Sequence, residues 1–408
     1  MPSREHPQRT EDGRHLVIRG RRWRAADPEL PQEIADALRS ELGRARSALR
    51  TAREPSEIAL WRDRVQLAKE GLGERGTPWW EMMEADRRRR ARERLLALRG
   101  TEAPGTERPD AERKAPMPRS LAPGQRSRIH ILDVETGQDV IVHDSAEVLY
   151  EAPNWSYDGD WLIVNGDGHL FRVPVGGGEP QQIDLGDLPD LNNDHVLAPD
   201  GQDVYVSADD GRIHRAPLAG GETIPVTEDD GHLHFLHGVS PDGTTLAYIG
   251  VQRLEDGTWL PPKVFTVPSS GGAPTPLTED EFPDDGAEYS PDGAWIYFNS
   301  ERARTVPGHA QLFRMRPDGS GVEQLTDDER VNWFPHLSPD GRRVAYVSFP
   351  PGTLGHPADR DVILRLCAPD GTGIRDLVRL HGGQGTMNVN SWAPDSRRLA
   401  YVDYPVEG

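Results

Sequence analysis

Cysteine is almost absent from this chain: Cys367 is the only one among 408 residues. No intrachain disulfide can form, and the redox compartment is left open. No apolar run reaches the length of a membrane helix or of a signal-peptide core, and the first 27 residues are charged throughout. Arg21-Arg22 has no apolar stretch after it. A cytoplasmic protein is therefore expected. Net positive charge is also lacking. The first 119 residues hold 27 Lys and Arg against 21 Asp and Glu, while the remainder holds 20 against 46. So acidic a major part argues against nucleic acid or an anionic membrane as its partner.

What the chain does have is one short phrase in six copies. It reads Ser-Tyr-Asp-Gly at 156–159, Ala-Pro-Asp-Gly at 198–201 and Ser-Pro-Asp-Gly at 240–243, 290–293 and 338–341. The last copy is Ala-Pro-Asp-Ser at 393–396. The aspartates fall at 158, 200, 242, 292, 340 and 395. A period of this size marks a repeat architecture. Each phrase is a turn: proline fixes φ, aspartate bonds its own backbone, and glycine takes φ > 0. A β-rich run follows each, as at 161–164, 246–249 and 344–348. A loop, a third strand, a Gly-rich turn and a short fourth strand then complete four antiparallel strands, the pattern of a propeller blade. Six turns predict a six-bladed, all-β propeller. The last turn is followed by one strand only, so strands at 128–134 and 139–143 are expected to complete that blade. Such first-to-last pairing closes the ring and removes its edges.

The propeller is assigned to residues 128–408. Residues 1–100 read as a small hairpin followed by helices near 31–49 and 56–72, both with apolar residues at helical spacing, and a third candidate helix at 79–99 that carries the run Arg87–Arg90, read as a solvated face, and stops at Gly100. Between them, 101–127 carries Pro104, Pro109, Pro116, Pro118 and Pro123 among polar residues and reads as a flexible linker.

The first strand of each blade lines the channel. Four or five residues before the turn aspartates stand Asn154, His195, His237, Glu288, His336 and Asn390. Three histidines and a carboxylate on neighbouring blades suit a divalent metal such as Zn, Mn, Fe or Ni, so His195, His237, Glu288 and His336 are the candidate ligands. A water-filled channel with hydrogen-bonded histidines accounts for the same residues. The spacing wavers by one: His195 and His237 lie five before the aspartate, Glu288 and His336 four. In a strand that shift flips the face, so either a bulge intervenes or the four do not all point inward. His232 and His234, earlier on the same strand as His237, are candidate outer ligands or acid–base groups. Long loops at 250–262, 300–310 and 350–361 bring Arg253, Arg302, Arg304, His309, His356 and Arg360 to one face, where acidic inter-blade connections also gather. The run Gly382-Gly383-Gln384-Gly385 permits close backbone approach.

The Ser-Pro-Asp-Gly turns, the aromatics before them (Trp155, Tyr289, Trp392) and the Leu-Thr strand ends resemble the TolB-like six-bladed propellers over residues 128–408. The stretches 192–195, 237–243, 285–293, 332–341 and 382–396 are similar to a bacterial subgroup of that family. The resemblance implies fold more than function, since this repeat serves many roles. Two functions are expected to compete. One is a ligand- or protein-binding module, a monomer using one channel mouth. The other is a metal-dependent carbohydrate-active enzyme, by analogy with oligogalacturonate lyases, which have a related propeller. In that case Arg302 or Arg304 would hold an acidic sugar and His309 or His356 would take a proton. No Gly-x-Ser-x-Gly elbow is present, which excludes a propeller of the prolyl-peptidase kind with its hydrolase nucleophile.

Overall fold

The computed structural model describes residues 8–10, 12–18, 21–51, 55–100, 119–252, 259–303 and 308–406. The described residues fall into two compact units, one within 8–100 and one from 119 onward. Arg253 and Arg304 lie outside the described residues. No described helix is long and apolar enough to cross a membrane.

In the first unit, short strands Gln8–Arg9, His15–Ile18 and Arg21–Arg24 pair antiparallel in that order. Three helices follow: α1 (Gln32–Thr51), α2 (Pro55–Gly71) and α3 (Glu84–Gly100). The apolar stripe of α1 (Ile34, Leu38, Leu42) packs with Ala68 and Leu72 and with Ala91, Leu95 and Leu98 of α3. Arg87, the first of the run Arg87–Arg90, is buried against Asp27 at 3.1 Å.

The second unit is the six-bladed propeller. Blades 1 to 5 are four-stranded antiparallel sheets in sequential order. Their inner strands are Tyr150–Trp155, Leu191–Leu197, His232–Val239, Asp284–Tyr289 and Val331–Leu337. Blade 6 is closed as expected. The strand Arg398–Asp403 pairs with Ser127–Asp133, which pairs with Asp139–Ser145. Its inner edge is reduced to one bridge, Trp392 to Leu399. Residues 119–126, read from sequence as the end of a linker, lie on the propeller, where Gln125 bridges Val406.

Short-range bonds build the repeated turns. In blade 4, Ser290 Oγ donates to Asp292 Oδ1 at 2.6 Å and accepts from Trp295 N at 3.0 Å. Asp292 Oδ1 also accepts from Ala294 N at 3.0 Å, and Gly293 takes φ of 68°. The same set recurs at Ser240, Asp242 and Gly243. Blades then stack through buried side chains: Tyr205 of blade 2 packs in one cluster with Tyr248 of blade 3, and Tyr297 of blade 4 in another with Tyr346 of blade 5. Rigid packing of this kind fixes where each inner strand meets the axis.

Candidate functional site

Every four-stranded blade carries a bulge in its inner strand. The register shifts between Glu151 and Asn154, Leu191 and His195, Leu236 and Gly238, Asp285 and Glu288, and Trp333 and His336. In three blades the extra residue is left-handed: Ala152 at φ 53°, Gly286 at 68° and Phe334 at 57°. Such bulges re-aim side chains, and here they divide the channel into two ends.

At the end where the Asp-Gly turns lie is a cavity of about 370 Å³. Pro199, Pro241, Pro291, Pro339 and Pro394 ring it, and Asn154, Glu288 and Asn390 reach it from the strands. Glu288 is fully engaged. It accepts from His336 Nδ1 at 2.5 Å, from Leu337 N at 3.0 Å and from Asn390 Nδ2 at 2.7 Å. His336 Nε2 meets the Met387 carbonyl at 3.1 Å. This is a seam that ties blades 4, 5 and 6 together.

His195 is elsewhere. Its Nε2 meets the Ile163 carbonyl of blade 1 at 3.2 Å, and burial pushes its pKa down to about 4. It is a neutral side chain packed between blades. The structure therefore does not bring the four expected ligands His195, His237, Glu288 and His336 to one point. Among the described residues, three ligand atoms converge only at Asp230, His232 and His234. The bulges are the cause, because they turn His195 sideways, His336 towards Glu288, and His237 towards the opposite end.

That opposite end, under the long loops, holds a cavity of about 260 Å³. Its polar wall is Asn193, Asp194, His237, Asp285, Gln384 and Asn388; Phe235, Ile249, Val251 and Phe334 make the apolar wall, and His356 reaches in from the blade 5 loop. His237 lines both cavities and so stands at the waist of the channel. Its Nε2 lies 3.0 Å from Asp285 Oδ1, and His356 Nε2 lies 3.6 Å from Asp285 Oδ2. Both imidazoles pack on Phe334, with ring centroids 5.8 and 5.0 Å away.

The electrostatics follow from burial. Burial alone would keep His237 neutral, but the Asp194 carboxylate and the contact with Asp285 outweigh it and raise its pKa to about 9. Burial also opposes the charge on Asp285, yet His237 and His356 hold its carboxyl well below the usual range. Asp194 is pushed up to about 6 by burial, which the His237 charge only partly offsets. Its Oδ1 is buried and has no hydrogen-bond partner.

An adjoining hollow of about 240 Å³ is lined by Arg119, Glu151, Asn165, Asn193 and Gln384. The bond from Gln384 Nε2 to Asn193 Oδ1, at 3.1 Å, stands between the two spaces. Gln384 Oε1 also contacts His356 Nδ1 and accepts from Asn388 Nδ2 at 3.0 Å. The glycines around Gln384 are required. A Cβ on Gly385, whose φ is 88°, would meet Glu151 Oε1 at 2.3 Å, and one on Gly383 would meet the Pro357 carbonyl at 2.2 Å.

Of the expected catalytic residues that are described, only His356 is placed at this cavity. Arg302 is held in an ion pair with Asp284 at 2.8 Å and lies over the Phe298 ring, so it is not free to hold a sugar. His309 Nε2 meets the Asp328 carbonyl at 2.8 Å. Arg304 lies outside the described residues. Sequence reasoning missed Asp194, Asp285, Asn193, Asn388, Gln384 and Arg119 as site residues. The first four stand six or seven residues before their turn aspartates, one to three residues beyond the positions counted.

No family model matches this chain. It is 40% identical over 298 residues to the uncharacterised protein Atu1656 of Agrobacterium fabrum, covering 71% of this chain and 97% of that one. Among solved structures it is similar to one from Agrobacterium tumefaciens described as a candidate TolB, with 38% identity, a TM-score of 0.63, and coverage of 69% of this chain and 99% of that one. Oligogalacturonate lyase in complex with manganese is more distant, at 18% identity and a TM-score of 0.44 over 63% of this chain and 74% of that one. With six repeated turns, five of them Asp-Gly and one Asp-Ser, six blades and a near-complete relative at this identity, the chain belongs to the TolB-like family of six-bladed β-propellers.

Proposed function

We propose that the protein is a binding module that takes a small hydroxyl-rich ligand, such as a saccharide unit, in the cavity under the long loops. The observation that carries this reading is Asp194. Its carboxyl is buried, lines the cavity and has an oxygen with no partner. A buried acceptor left unmade costs roughly 1–3 kcal/mol, and a ligand hydroxyl placed there would recover it. The surrounding amides of Asn193, Gln384 and Asn388 offer donors and acceptors at fixed positions, and Phe334 offers a ring face. A polar wall of fixed side chains facing an apolar one suits a ligand that is itself rich in hydroxyls, with an apolar face to pack.

Calorimetry with neutral and acidic mono- and disaccharides tests the reading. Binding by the wild-type chain, weakened by Asp194→Ala, is expected. If no saccharide binds, the ligand class is wrong, and a protein partner at this mouth becomes the account to test.

A second reading is a carbohydrate-active enzyme. It is favoured by the His237–Asp285–His356 group, which places a charged imidazole beside a carboxylate at the cavity wall. A protonated His237 could serve as a general acid there. Turnover of a bound saccharide, lost in His237→Gln while binding persists, distinguishes this from binding alone. A metal held by the channel residues belongs to neither reading, since those residues are spoken for.

A further inference from the structure

A separate cluster lies where blade 2 passes into blade 3. Asp230 stands in the connection, and His232 and His234 open the inner strand of blade 3. Residues two apart on a strand share a face, so the two imidazoles lie side by side. Their rings are stacked at 16° with centroids 6.3 Å apart. Phe235 and His237, on the alternate positions, line the cavity instead.

Asp230 Oδ1 lies 3.1 Å from His232 Nδ1 and 3.1 Å from His234 Nε2. One ligand atom from each residue fits within 4.8 Å of the others. Donors bonded to an ion at about 2.0–2.2 Å sit roughly 3.0–3.4 Å from one another, so the carboxylate-to-imidazole spacing already matches. His234 is buried and its Nδ1 lies 2.9 Å from Thr227 Oγ1. With Nδ1–H donating to that hydroxyl, Nε2 keeps its lone pair for an ion. A fixed second partner of this kind is what orients metal-bound histidines. The Asp230 side chain is 37% exposed, so one side of the group is open to water.

We propose that Asp230, His232 and His234 bind one first-row divalent transition-metal ion. Two imidazoles and one carboxylate favour such an ion over Mg²⁺ or Ca²⁺, which prefer all-oxygen shells. Three protein ligands leave a position for water. The ion pins the connection between blades 2 and 3, and with it the start of the strand that carries Phe235 and His237. This inference is independent of the saccharide reading.

The experiment is calorimetric titration of Zn²⁺ alone into the full chain after chelator treatment. One ion per chain is expected, and Mg²⁺ should not compete. Loss of a ligand is expected to weaken binding by roughly tenfold or more in His232→Ala and, separately, in Asp230→Asn. Both side chains are partly exposed, and circular dichroism checks that the variants fold. His356→Ala should bind Zn²⁺ like wild type. The proposal is overturned if no ion binds, if both variants bind as wild type does, or if His356→Ala is the variant that loses the ion.

Discussion

The two ends of the channel are made from the same inner strands, yet they are wired differently. At the turn end, the Glu288 carboxylate accepts three hydrogen bonds and His336 uses both ring nitrogens. At the loop end, Asp194 keeps an unpartnered oxygen, and His237 is held charged in a buried place. A satisfied buried network rigidifies a fold, while an incompletely satisfied one stores a cost that a ligand can relieve. The contrast teaches that polar side chains in a propeller channel must be sorted by whether their bonds are complete, not by residue type. Three histidines and a glutamate suggested one metal centre, but bond completeness assigns Glu288 and His336 to the scaffold and His237 to the site.

The largest expected effect tests the scaffold end. Glu288→Ala strands the donors of His336, Leu337 and Asn390 inside the ring, and should destabilise the propeller by about 3–5 kcal/mol. Urea unfolding measures this. A change under about 1 kcal/mol would mean that the seam is dispensable and the comparison false.

Next comes pH. The folded pKa of His237, about 9, is raised above the unfolded value of roughly 6.5. Its stabilising contribution is therefore complete below about pH 6.5 and is lost as pH rises through 9, on the order of 3 kcal/mol in all. Asp194 is also raised, to about 6, so its contribution is lost over a lower window, from about pH 4 to 6. The two contributions have one sign: stability falls as pH rises. The difference in unfolding free energy between wild type and His237→Gln, measured from pH 6 to 9.5, should shrink towards alkaline pH. A difference independent of pH would remove the charged imidazole from the account.

Arg119 should give a smaller change. Its guanidinium reaches Glu151 at 2.9 Å, the Gln384 carbonyl at 2.8 Å and Asp359 at 3.0 Å, and lies 4.1 Å from the Tyr404 ring centroid. Burial works against its charge, but Tyr404, Glu151 and Asp359 raise its pKa overall. Arg119→Ala leaves the buried Glu151 carboxylate without its cation, at a cost of about 2 kcal/mol. The double variant with Glu151→Gln should recover part of this loss. A double variant no more stable than Arg119→Ala would show that stacking on Tyr404, not the ion pair, is what matters.

Fold and site differed in how far the sequence exposed them. The turns are legible because their bonds are local: Ser240, Asp242 and Thr245 satisfy one another within six residues. Blade closure is legible because a lone terminal strand needs a partner. The site is less legible for a geometric reason. Counting back from Asp200 or Asp292 assumes an even strand, and the bulges at 191–195 and 285–288 break that count. They displace His195 from the channel and expose Asp194 and Asp285 to it. His356 was visible as a loop histidine, but nothing in its spacing links it to Asp285, 71 residues earlier. Arg119 was hidden in a Pro-rich stretch that reads as linker.

The smallest effect on stability is the sharpest test of the comparison, because one chemical change can be made at both ends. Glu288→Gln and Asp194→Asn each replace a buried carboxylate by its amide. At the turn end the amide faces the His336 ring nitrogen that the carboxylate engaged, so about 1–2 kcal/mol should be lost. At the loop end the carboxyl is raised to about 6 and would shed a charge that burial disfavours. Asp194→Asn should therefore leave stability within about 1 kcal/mol of wild type, while weakening ligand binding by roughly tenfold, or about 1.4 kcal/mol. A side chain whose replacement spares the fold and harms binding is there for the ligand. If the two amide variants lose equal stability, the channel has no functional end, and both groups belong to the scaffold.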